Sequence, residues 1–178
     1  MRYVALLRGI NVGGNNAVPM LQLKQCLEDF GFTDVSTYIN SGNVLFESSE
    51  TDKAKLVQQC ERAIEDKFGF RVVCAVIGAA ELCDAVAHAP KWWNKDKAAK
   101  NNAIFVIAPA TAEGVMQEVG EAKPEYEQVA AYGPIILWTA PLETFSRTRY
   151  SRIVGAKAYQ SVTIRNANTA LKLAELCA

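Results

Sequence analysis

The chain has 178 residues, half of them hydrophobic and about a fifth charged, with 19 basic side chains against 19 acidic ones. That composition describes one large globular domain or two small, intimately packed ones, and the charge balance argues against adhesion to nucleic acid through net charge alone. No apolar run approaches the roughly 20 residues needed to span a membrane.

In chain order, a strand over 2–10 leads through a polar loop into a helix over 19–30, with Pro19 suited to a first helical turn and Gly31 placed just past the last. Two short strands, 35–39 and 44–47, flank "NSGN", whose asparagine and glycine tolerate the positive φ of a tight hairpin. A helix over 52–68 follows, carrying Leu56, Val57, Cys60, Ile64 and Phe68 on one face, then a strand over 71–77 and a helix over 79–88. The order is β-α-β-β-α-β followed by a helix.

The second half repeats that order: strand 103–108, helix 111–119, strands 127–131 and 135–139 around "AYGP", helix 142–154, strand 161–164 and helix 167–177. The repeat is one of pattern and not of side chains. Each unit is the split βαβ arrangement of ferredoxin-like folds, so the expected class is α+β, two β-α-β-β-α-β halves with mainly antiparallel sheets. The expected division is 1–90 and 91–178, joined by "HAPKWWNKDKAAKNN" and packed against each other, because each four-stranded sheet has a second face to cover. Trp92 and Trp93 read as plugs for the seam between the halves.

The five cysteines are odd in number and lack C-x-x-C spacing, and only one histidine is present to partner them. With no signal peptide recognisable, they read as reduced, packed thiols in a cytoplasmic protein, with no metal and no cofactor implied.

Four polar stretches stand out. In "YVALLRGINVGGNNAVP" (3–19), Gly13 and Gly14 permit exposed amides, Arg8 adds a cation and a helix start lies nearby, although the spacing is neither a Walker nor a dinucleotide pattern. "TYINSGNVLF" (37–46) offers Asn40, Ser41 and Asn43. "ETFSRTRYSRIVGAK" (143–157), read as a helix, places Arg149 and Arg152 on one face and Arg147 around the turn. "TIRNANTALKLAEL" (163–176) sets Arg165 and Asn166 at a helix start, where asparagine is also a good cap. Between residues 143 and 172 there are six bases and one acid, so positive charge is local.

These four stretches together closely resemble the domain-of-unknown-function family numbered 1697, over essentially the whole chain. The resemblance implies a two-lobed α/β architecture with ferredoxin-like halves. It implies no biochemical activity and no catalytic residues.

Three readings follow. In the first, Arg8, Arg147, Arg149, Arg152 and Arg165 bind an anionic ligand, nucleic acid or a nucleotide, with Asn11, Asn40, Asn43 and Asn166 supplying hydrogen bonds. In the second, the protein is an enzyme on a small phosphorylated or carboxylated metabolite, with Glu143, Tyr38 or Tyr150 moving protons. In the third, the polar motifs hold the lobes together. The loop after the first strand and the first hairpin are expected at opposite ends of their sheet, which would oppose a single pocket. Oligomeric state is not legible.

Overall fold

The structure, a computed structural model, describes residues 1–178. The first lobe runs β1 (Arg2–Arg8), α1 (Met20–Phe30), β2 (Thr33–Tyr38), β3 (Asn43–Glu47), α2 (Lys53–Phe68), β4 (Val73–Gly78) and α3 (Ala79–Ala87). The second runs β5 (Lys100–Val106), α4 (Ala112–Val119), β6 (Gln128–Tyr132), β7 (Ile135–Ala140), three 3-10 segments, β8 (Val162–Asn166) and α5 (Ala167–Cys177). Both sheets are antiparallel, ordered β2-β3-β1-β4 and β6-β7-β5-β8. The expected class, two packed ferredoxin-like halves, is the observed one.

Strand alternation explains the layering. In β1, Tyr3, Ala5 and Leu7 join Leu23 of α1 and Leu56 and Ile64 of α2 in one core. Val4 and Leu6 point the other way, into a central layer with Phe105 of β5, Leu137 of β7, Leu82 of α3 and Leu173 of α5. Trp93 belongs to this shared layer and its indole N–H donates to the Asn102 carbonyl at 2.9 Å. A third core lies beneath α4 and the 3-10 segments, around Ile104, Trp138 and Tyr150. Each fully buried leucine or isoleucine contributes about 1.5–3 kcal/mol.

Two expectations are corrected. Residues 142–154 do not form an α-helix: they wind as 3-10 segments at Leu142–Arg147, Tyr150–Gly155 and Lys157–Ser161, with Thr148 extended between the first two. Side chains take the amides a helix would use. The carboxylate of Glu127, 4% exposed, accepts from the backbone N–H groups of Lys123, Arg149 and Tyr150, and the Thr148 hydroxyl accepts from that of Ser151.

The first loop and the first hairpin, moreover, lie at the same end of their sheet. β1 and β2 run in the same direction because a helical crossover joins them, so both deliver their C-terminal ends to one side. The Leu7 N–H donates to the Gly42 carbonyl at 2.8 Å, and the Asn11 side-chain amide reaches the Asn40 carbonyl at the same distance. At Gly42, with φ of +82°, a Cβ would stand 2.7 Å from Ile10 and 2.8 Å from Leu7, so only glycine allows the approach.

Candidate functional site

The strand residue Arg165 crosses from β8 into the first lobe. Its Nε donates to the Asn43 side-chain oxygen at 2.7 Å, one terminal nitrogen to the Thr163 hydroxyl and the Ile164 carbonyl, and the other to the carbonyls of Leu7, Ser41 and Gly42. All five guanidinium donors are thus engaged, and no carboxylate is among the partners. Burial lowers the Arg165 pKa to about 10, which still leaves it cationic at neutral pH. Asn43, fully buried, completes the junction by donating to the Tyr38 carbonyl and the Ser41 hydroxyl.

Arg8 makes the reciprocal bridge. Its guanidinium donates to the carbonyls of Tyr159 and Val162 and lies 4.0 Å from the centre of the Tyr159 ring. Asn11, at φ of +55°, fastens the opening loop by exchanging two hydrogen bonds with the Val18 backbone. Gly13 and Gly14 are exposed and left-handed, and a small cavity of about 330 Å³ lies beside Asn11, Gly14 and Asn40 with no cation lining it.

The other arginines stand apart. Arg147 is exposed, 5.8 Å from the centre of the Tyr126 ring. Arg149 lies half-buried against Gly120, and Arg152 is exposed. The expected site residues therefore do not meet in one pocket. Arg8, Asn11, Asn40, Ser41, Asn43 and Arg165 cluster at the lobe junction, whereas Asn166 faces elsewhere. Among the proton-transfer candidates, burial and the nearby Glu127 carboxylate push the Tyr150 hydroxyl up to about 12, far from use as a base near neutrality.

Asn166 opens onto a different site, at the end of the second lobe where β5 starts. Its side chain caps α5 by accepting from the Thr169 N–H at 2.8 Å. The cleft beside it, about 370 Å³, is lined by Lys97, Lys100, Asn94, Asn102 and Asn168 among others, with no carboxylate. The acid of this turn, Asp96, accepts instead from the Ala98 N–H. Asn101 shapes the turn by donating to the Asp96 and Ala99 carbonyls. The Lys100 ammonium sits 4.1 Å from the centre of the Phe145 ring. A second cavity of about 380 Å³ adjoins at Ala99 and holds Trp92, Lys95 and Tyr126 together with the carboxylates of Asp96, Glu125 and Glu127. Lys95, Lys97 and Lys100 went unrecognised in the sequence because "NKDKAAKNN" reads as a boundary. Its lysine–asparagine run was the available signal.

Charge pairing sets the lobes apart. Six of the eight basic side chains in residues 1–90 form ion pairs, while of eleven in residues 91–178 only Lys172 does.

Two packed ferredoxin-like lobes, with a carbonyl-clamped junction and a cationic cleft at one end, define the class. The chain belongs to the family described as "Protein of unknown function (DUF1697)", whose model matches residues 1–136. It is similar to the solved structure of the conserved bacterial protein SP0830 from Streptococcus pneumoniae, at 31% identity and a TM-score of 0.86, over 99% of this chain and 98% of that one. No curated protein matches the chain. No helix is long and apolar enough to cross a membrane.

Proposed function

We propose that this protein binds an anionic ligand, a nucleic acid or nucleotide, at the β5 end of the second lobe and not through its opening loop. The carboxylate-free cleft carries the reading: ammonium and carboxamide donors line it, and donors are what phosphate oxygens require. The unpaired cations of this lobe supply the charge, and the rings of Trp92 and Tyr126 next door offer a stacking surface for a base, while the carboxylates Asp96, Glu125 and Glu127 of that cavity leave phosphate to the cleft. The cytoplasm suits the five free thiols.

The test is a fluorescence titration with a labelled single-stranded oligonucleotide and, separately, with a labelled nucleoside triphosphate. Affinity for the oligonucleotide should fall about tenfold or more between roughly 50 and 200 mM salt. Lys97→Glu should weaken both ligands by a similar factor. Binding that ignores salt and substitution alike would remove the reading.

A second reading has its own observation. Arg8 and Arg165 are taken up by backbone carbonyls across the junction, and the Asn43 side-chain oxygen accepts from Arg165 there, which is what an assembly role for these motifs requires. On this reading Arg165→Ala lowers the melting temperature and leaves the affinity of the remaining folded protein unchanged.

A further inference from the structure

The two sheets have four edges, and three are obstructed. β2 slips register between Thr33 and Ser36, with Asp34 left-handed and paired to Arg2 at 2.9 Å. β4 has its Cys74 N–H taken by the Glu61 carboxylate at 3.0 Å. On β8, Arg8 and Arg165 take the Val162 and Ile164 carbonyls. These are the usual ways in which a strand edge is kept from pairing with foreign chain.

β6 has none of them. Its five residues, Gln128–Tyr132, are uncharged and free of proline, and pair with β7 without a register shift. The hairpin closes through the two residues Gly133 and Pro134, so Tyr132 and Ile135 form a hydrogen-bonded pair. The alternation of an antiparallel ladder then leaves Val129 and Ala131 with N–H and C=O groups pointing outward. No loop or side chain bonds to them. The Val129 and Ala131 side chains also line a largely apolar cavity of about 480 Å³, together with Met116 and Tyr150. Glu113 and Glu121, exposed and without ion-pair partners, lie along it.

From this juxtaposition we propose that β6 is a docking edge for an extended peptide of a partner protein, one that adds a strand and places apolar and basic side chains, two residues apart, into the groove. Main-chain pairing to Val129 and Ala131 supplies affinity, and the cavity with its two carboxylates selects the side chains. A second copy of this chain is disfavoured, since pairing β6 with β6 would bring the acidic α4 helices of the two copies toward each other. The surface is distinct from the cationic cleft.

The experiment uses a fluorescein-labelled heptapeptide, Thr-Val-Thr-Lys-Thr-Val-Thr, with a glutamate replacing the lysine in its control. The lysine peptide should bind at least tenfold more tightly than the control, and Glu121→Lys should reverse that order. Ala131→Pro removes only an outward N–H, a position where an edge strand accepts proline. It should keep the circular dichroism and melting temperature while losing binding at least tenfold. Lys97→Glu should bind the peptide as the parent does, which separates this surface from the anion site. Absence of binding, binding that survives Ala131→Pro, or concentration-dependent self-association that Ala131→Pro abolishes would each overturn the proposal.

Discussion

Ile77 and Arg165 occupy one position in two lobes: each is the strand residue just before the cap of its lobe's last helix, Gly78 for α3 and Asn166 for α5. Ile77 packs into the apolar cluster of the central layer. Arg165 meets the end of β1 and the β2–β3 turn, where the Leu7, Ser41 and Gly42 carbonyls converge. The difference teaches that the halves repeat a topology without repeating how it is closed. An aliphatic side chain suffices where side chains face it. Where a turn presents main-chain oxygens, a multi-donor cation is needed, because unpaired buried carbonyls are costly.

The largest way to break this comparison is Arg165→Met, which matches volume and removes every donor. It should cost about 3 kcal/mol or more in urea unfolding, while Ile77→Val should cost only about 1 kcal/mol. Asn43→Leu leaves the Arg165 Nε without its acceptor and should cost about 2 kcal/mol. The double substitution should cost less than the sum, and a cycle that shows strict additivity would deny the coupling.

A pH experiment sharpens the contrast on the second lobe's other side. Because the Tyr150 pKa is raised in the folded state to about 12, its contribution is complete below the unfolded tyrosine value of about 10 and is lost as pH rises through that window. Stability measured from pH 10 to 12 should therefore fall more steeply in the parent than in Tyr150→Phe, by on the order of 2 kcal/mol. The smallest stability effect belongs to the unpaired surface cations. Lys97→Glu and Arg147→Glu should change unfolding by no more than about 0.5 kcal/mol while weakening anion binding.

Most of the architecture was legible because it rests on local signals. The caps at Asp52, Thr111 and Asn166, the left-handed glycines Gly31 and Gly69, and the "NSGN" turn mark element ends by chemistry contained within a few residues. The segment after β7 reads as a helix in the sequence because what diverts it is Glu127, some twenty residues earlier in the chain. The Arg165–Asn43 junction spans 122 positions and carries no periodicity that would announce it. The cleft at Lys97 and Lys100 was hidden for a different reason: lysine and asparagine serve equally well in a solvated connector, and only the fold reveals that α5 starts beside them.

The reciprocal clamp, in which each half holds main-chain oxygens of the other, bears on ancestry. A recombination event that exchanged either half for an unrelated ferredoxin-like unit would strand Arg8 or Arg165 without acceptors and bare the apolar faces of both sheets. Tinkering with one half is therefore constrained by the other, and the pair should be inherited, and should melt, as a single cooperative unit.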